Sequence, residues 1–210
     1  MKKIFSSLLM SLALVSCGDF DEVNLNPDTP TTVTPDFLAT RIILKTTESD
    51  NGKWFISDSW LMKTTSFTEH MEWFLYNKFE RDNFKTYYHL MDAQKMLELA
   101  EANTDMPEED KNAYRALNHF IRSYIFYGAT MSMGDVPCSE AIKGEKEGVF
   151  SPKYDTQEEV FVTILKELRE ASELFGKASN LNGDPVFGGD VSTWQRTVNS
   201  FTLRVLNMLC

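Results

Sequence analysis

The chain has 210 residues, 42% of them hydrophobic, which is enough for one domain with a sizeable core and excludes a disordered polyelectrolyte. Its formal net charge is −10, from 31 acidic and 21 basic residues, and no basic cluster interrupts the excess. Nucleic acid and anionic lipid surfaces are excluded as partners on that ground, because both are polyanions that need Lys/Arg-rich faces.

The first elements concern targeting. Lys2 and Lys3 precede an apolar run from Ile4 to Val15, too short to span a bilayer and characteristic of a signal peptide over residues 1–16. It ends in Leu14-Val15-Ser16-Cys17, which resembles the lipobox of bacterial lipoproteins, in which the cysteine is acylated and becomes the new N-terminus. Losing the two lysines takes the net charge from −10 to −12. Residues 17–35 read as a lipidated N-terminus and tether, since Pro27, Pro30 and Pro35 and many Asn and Thr prevent regular structure. Cys17 is the expected lipidation site. The other thiols, Cys138 and Cys210, make no metal-type spacing and are expected to be inert, with a mutual pairing left open.

Residues 36–210 then read as one α-helical domain. Thr34-Pro35 is a cap and first-turn pair, and Phe37, Leu38, Ile42 and Leu44 predict a helix ending near Asn51-Gly52. Trp54 to Tyr76 carries an imperfect helical stripe. Leu90, Ala93, Leu97 and Ala100 predict a helix over 84–102, and Ala113, Leu117, Phe120, Tyr124, Tyr127 and Met131 another over 108–133. Gly134 and Pro137 stop that helix, with Gly134 expected in the left-handed αL conformation. Thr156 and Glu159 form a capping box, after which Val160, Ile164, Leu168, Ala171 and Phe175 recur at spacings of four and three. A second box is expected at Ser192 and Gln195, with Trp194, Val198, Phe201, Val205 and Met208 facing inward. No stretch alternates with period two. The fold class is all-α, with small residues on the inner faces of helix pairs suggesting a helical-repeat, tetratricopeptide-like arrangement.

Two motifs carry a resemblance. Gly134-Asp135-Val136-Pro137-Cys138-Ser139-Glu140-Ala141, followed by Pro152-Lys153-Tyr154-Asp155-Thr156-Gln157-Glu158-Glu159-Val160-Phe161, resembles the signature of SusD/RagB-type lipoproteins, the surface glycan-capture subunits of Bacteroidota. Where relatives usually carry an aromatic residue, this chain has Cys138. The resemblance implies a SusD-type helical-repeat fold and a non-catalytic role: capture of oligosaccharide and delivery to a SusC-type TonB-dependent outer-membrane transporter. It also implies a lipid-anchored outer-membrane location, and Asp19, Asp21 and Glu22 resemble the acidic export tag of surface lipoproteins. Gly188-Gly189-Asp190-Val191 through Arg204 is similar to the middle of the family, so the chain is expected to be an N-terminal portion, truncated at the C-terminus.

Catalytic and metal chemistry find little support. His70, His89 and His119 lack HExxH spacing, and neither GxSxG nor a Walker-type loop occurs. In Glu69-His70-Met71-Glu72, neighbours on a helix point about 100° apart, which makes joint coordination awkward. No catalytic residue, metal or cofactor is assigned. Sugars stack their C–H faces on exposed rings while amides satisfy their hydroxyls, so Trp73, Tyr76 and Asn77, sharing one helix side, are the expected ligand contacts. Two alternatives stay open: a surface glycoside hydrolase with converging carboxyl groups, and a helical-repeat scaffold for protein partners. The ligand itself, glycan or peptide, is not specified.

The anchor is directly testable. Cys17→Ala should abolish acylation and move the protein from the membrane pellet to the soluble fraction, because a short apolar run cannot hold it there. Fractionation of a suitable expression host reads the outcome.

Overall fold

The computed structural model describes residues 32–47, 62, 64 and 83–209. Five long helices organise them: α1 (Pro35–Thr47), α2 (Tyr88–Ala102), α3 (Glu108–Met133), α5 (Gln157–Phe175) and α6 (Val191–Met208), with a short α4 (Gly144–Glu147) between α3 and α5. A 3₁₀ turn, Lys85–Tyr87, leads into α2. The all-α class holds, since the described residues contain only an isolated antiparallel bridge, Val136 with Asp155. The helix expected over 54–76 and the end expected near Asn51-Gly52 lie outside the described residues, as does Cys210.

Each long helix packs on its neighbour in chain order, α1 on α2, α2 on α3, α3 on α5 and α5 on α6, as in a helical-repeat array. Helix α3 is the hub, for it also meets α1 and α6. Its apolar surface is wider than one stripe. Tyr114, Leu117, Ile121 and Phe126 are fully buried, and the rings of Phe120 and Tyr127 meet Phe201 of α6 at 5.9 and 5.3 Å. Each such side chain contributes about 1.5–3 kcal/mol of burial free energy.

Helix α5 follows its expected pattern closely. Val160, Ile164, Leu168, Ala171 and Phe175 are all buried, and the capping box is formed: Glu159 N donates to Thr156 Oγ1 at 3.3 Å and Thr156 N to Glu159 Oε2 at 2.9 Å. Other stripes shift. In α2 the inward position is Met96, with Leu97 half-buried, because the face meeting α1 and α3 is centred on Leu90, Ala93, Met96 and Ala100. In α1, Ala39, Ile42 and Ile43 are buried, while Phe37 and Leu44, seven residues apart on the opposite side, are exposed. Tyr124, Met131 and Met208 are also exposed.

Two helix ends differ from expectation. Gly134 has positive φ, 81°, but ψ of −117° places it outside the αL region, and the sharp exit that results is open only to glycine. The box expected at Ser192 and Gln195 does not form. Asp190 is the N-cap instead, accepting from Ser192 N at 2.9 Å, while Gln195 Nε2 donates across to Ser172 O of α5 at 2.9 Å.

The 180–190 loop is folded around one carboxylate. Asp184 accepts from the backbone N–H groups of Val186, Phe187 and Gly189 and from Trp194 Nε1 at 2.8 Å, and Trp194 is packed among Phe120, Phe175 and Phe187. The loop docks on α1, where Thr40 Oγ1 donates to Gly183 O at 2.6 Å. Gly183 has φ of 82°, and a Cβ there would overlap the Asp36 carbonyl.

Two glycines should therefore respond in opposite directions. Gly183→Ala should destabilise by more than about 1 kcal/mol through strain and overlap. Gly128→Ala, on an exposed position of α3 with open space around it, should stabilise by about 0.5–1 kcal/mol from helix propensity alone. Urea denaturation of the two variants reads both signs.

Candidate functional site

The two signature motifs meet at one buried side chain. Asp155 Oδ2 accepts from the backbone N–H of Cys138 at 3.0 Å and of Ser139 at 2.6 Å, and Oδ1 from Ser139 Oγ at 2.8 Å. Lys153 Nζ adds an ion pair at 3.2 Å. Burial by itself would raise the Asp155 pKa, but the bonds from Ser139, Cys138 and Lys153 outweigh it and hold the carboxyl at about 2. Around this knot, Asp135 Oδ1 accepts from Gln157 N at 2.9 Å at the start of α5, and Glu140 Oε2 accepts from Lys153 N at 2.9 Å. Tyr87 OH donates to Pro137 O at 2.7 Å, tying the 3₁₀ turn to the same loop. The signature residues thus serve as a clamp, and their polar atoms are spent on one another.

What the clamp positions is a groove. Its one wall is the outer side of α2, where Tyr88, Met91, Asp92 and Lys95 fall at spacings of three, one and three on a single face. The other wall is residues 141–147. Tyr88 is 70% exposed and Met91 53%, large apolar surfaces left open to water. At one end they join Phe84, whose ring stands edge-on to Tyr87 at 5.0 Å and to the exposed Tyr154 at 6.2 Å, giving an open aromatic platform with Asn83 and Lys85. At the other end the groove deepens into a cleft of about 670 Å³ over Arg122, Cys138 and Ser139. Met91 and Ile142 line both parts. Ile142 has φ of 56°, a costly conformation for a β-branched residue, held at the edge of the groove.

The charges in the cleft are arranged in pairs. Lys146 Nζ reaches Glu98 Oε1 at 2.5 Å and so fixes α4 to α2, Lys143 pairs with Glu147 at 3.4 Å, and Asp92 meets Arg41 of α1 at 3.3 Å. The Glu98 carboxyl is held below its ordinary range, chiefly by its hydrogen bond from Lys146. On the floor, Arg122 Nε donates to both oxygens of Glu167, at 3.0 and 3.1 Å, and its guanidinium lies 5.2 Å from the Phe126 ring centre. His119 stands nearby, with Nδ1 4.0 Å from Glu167 and Nε2 3.8 Å from Glu170, and burial lowers its pKa. Cys138 is almost fully buried, and burial raises its thiol pKa to about 12, so it is chemically inert as a nucleophile.

Among the described residues no group of three or more His, Cys, Asp or Glu is placed to hold a metal ion, and no helix is long and apolar enough to cross a membrane. The lipidation site Cys17 and the expected contacts Trp73, Tyr76 and Asn77 lie outside the described residues, as does Glu69-His70-Met71-Glu72. The sequence reading missed Tyr88, Met91 and Arg122. A signal was present, because Tyr88 and Met91 put large apolar groups on the side of α2 opposite its buried stripe.

The comparisons with known proteins follow the same line. Residues 27–210 match the model of a SusD-like family described as starch-binding and associating with the outer membrane. The chain belongs to the SusD-like family. A SusD homolog of Bacteroides fragilis is 42% identical with a TM-score of 0.72, over 83% of this chain and 36% of its own. A second SusD homolog of that organism is 32% identical with a TM-score of 0.68, over 83% of this chain and 35% of its own. An outer-membrane protein of Bacteroides vulgatus, whose description points to nutrient binding, is 28% identical with a TM-score of 0.65, over 83% and 36%. No curated protein sequence matches. This SusD-like chain therefore spans about a third of the length of the solved relatives it matches.

The clamp yields a pH prediction for the SusD-like fold. A carboxyl whose folded pKa is depressed contributes stability above its unfolded pKa, near 4, and loses it as pH falls through the folded value near 2. Asp155→Asn should cost about 2 kcal/mol at neutral pH, because the amide keeps one acceptor oxygen in place of two and loses the charge that Lys153 and the three hydrogen bonds stabilise, and should flatten the acid limb of the melting profile between about pH 4 and pH 2. Thermal melts across that range measure it.

Proposed function

We propose that this chain is the glycan-contacting part of a SusD-like surface lipoprotein that captures oligosaccharide and passes it to a SusC-type TonB-dependent outer-membrane transporter. The observation that carries the reading is the groove: an exposed Tyr88 and Met91, flanked by Phe84 and Tyr154, opening into a polar cleft of about 670 Å³. Pyranose rings present apolar C–H faces that stack on such rings, and their hydroxyls find partners in Gln94, Asp92 and Ser139 below. Solvent exposure favours ligand capture over a scaffold role, in which the aromatic cluster would be covered. Three of the four acids that line the cleft, Asp92, Glu98 and Glu147, are engaged in ion pairs, which favours binding over general acid–base hydrolysis.

Trp73, Tyr76 and Asn77, a few residues before Phe84 in the chain, are proposed as further contacts of the same ligand. In the same reading, residues 1–16 are removed, Cys17 carries the lipid, and residues 17–35 tether the domain, residues 36–210 onward, at the cell surface. The family description, starch-binding and associating with the outer membrane, supports both parts.

Glycan-array screening of the full-length protein, then calorimetric titration of the best ligand, tests the reading. Tyr88→Ala and Trp73→Ala should each weaken binding by about 1–2 kcal/mol, the scale of one aromatic contact, with the thermal transition unchanged. Unchanged affinity in well-folded variants would remove the groove and its neighbours from the binding site.

A further inference from the structure

The floor of the cleft carries one group whose hydrogen-bond donors the clamp and the ion pairs use only in part. Arg122 has its Nε edge fixed by both oxygens of Glu167, and the ring of Phe126 lies beneath its guanidinium. Its terminal Nη1 and Nη2 groups donate no hydrogen bond to the described residues, while its side chain, ion-paired with Glu167 through Nε, is 20% exposed and lines the cleft. A guanidinium held in place along one edge presents the other as a fixed fork of N–H donors, which matches the two oxygens of a planar carboxylate. The orientation is set before any ligand arrives, so little ordering entropy is lost on binding. Lys95 and Lys143 stand on the two walls above it, partly exposed and paired with Glu98 and Glu147. The cations and acids lining the cleft balance, Lys95, Arg122, Lys143 and Lys146 against Asp92, Glu98, Glu145 and Glu147, so what it offers a carboxylate is the open Nη edge of Arg122 and not an excess of positive charge.

We infer that the cleft receives a carboxylate, and that the ligand of the groove is an acidic saccharide whose uronic acid unit is held by Arg122 while a neighbouring unit stacks on Tyr88 and Phe84. The inference rests on the glycan reading above and specifies its ligand class. Spacing along the helix allows it. Tyr88 and Lys95 are seven residues apart on one face of α2, which at 1.5 Å per residue is about 10 Å, room for linked sugar units between platform and cleft. A neutral saccharide could accept single hydrogen bonds from Arg122 but offers no planar pair of oxygens, so the fork would be only partly used.

The test uses the full-length protein with glucuronate- and galacturonate-bearing oligosaccharides and their carboxyl-reduced counterparts, titrated calorimetrically. The acidic form should bind about tenfold or more tightly, with a preference that weakens as salt is raised. Arg122→Lys keeps the charge and loses the fork, and should narrow the preference to within about threefold. Should that variant fold poorly on account of Glu167, Lys143→Gln at an exposed position should reduce the preference and its salt dependence without touching the Glu167 pair. Equal affinity for acidic and reduced forms, or array hits confined to neutral glycans, would overturn the acid assignment while leaving glycan capture intact. Absence of binding to any glycan would overturn both.

Discussion

Three hydrogen bonds and an ion pair converge on the carboxylate of Asp155, and the geometry of the groove depends on them. Between α3 and α5 the chain must leave one helix, travel more than twenty residues and return to start the next, with one isolated backbone bridge, Val136 to Asp155, in place of a strand ladder. Asp155 closes that excursion by gripping the turn at Cys138 and Ser139, seventeen and sixteen residues earlier, while Asp135 meets the free N–H of Gln157 at the start of α5. A buried carboxylate is costly unless its lone pairs are met, and here both oxygens are. The signature that marks the family is thereby explained as architecture: its residues bind each other.

The groove is a consequence of that closure. Because the 134–155 loop is drawn down against α3, its middle, residues 141–147, stands opposite α2 as a second wall, and Lys146 to Glu98 sets the width. Tyr87 links both sides, with its ring 5.8 Å from Phe126 in the core and its hydroxyl on Pro137 O. Tyr88, the next residue, is turned outward by the same anchoring. The strained Ile142 sits where the two parts of the groove meet, held there by packing against the core.

Much of this was legible in the sequence wherever the determinant was local. Helix α5 could be read almost residue by residue because its capping box and its four-and-three stripe need no information from elsewhere. The family resemblance joined two motifs correctly, but the physical link, Asp155 reaching Cys138 and Ser139, is tertiary and invisible to spacing. The start of α6 differs for a similar reason: Ser192 and Gln195 have box spacing, yet Asp190 takes the cap through its own carboxylate, and Gln195 is engaged by Ser172 O on α5. Leu97 and Met96 are adjacent, and which of them turns inward depends on how α1 and α3 approach α2. The candidate contacts Trp73, Tyr76 and Asn77 rest on local aromatic density, whereas Tyr88 and Arg122 come to light only through exposure and the placement of neighbouring elements.

The central claim is that the signature loop builds a groove and that ligand occupies the groove rather than the signature itself. Hydrogen–deuterium exchange of the full-length protein, with and without a saccharide identified by array, tests it most directly. The account predicts ligand-dependent protection in peptides covering residues 83–98 and 141–150, with the stretch around residues 153–157 already slow and unchanged. Protection confined to other parts of the protein, with both groove walls exchanging as in the free state, would contradict it.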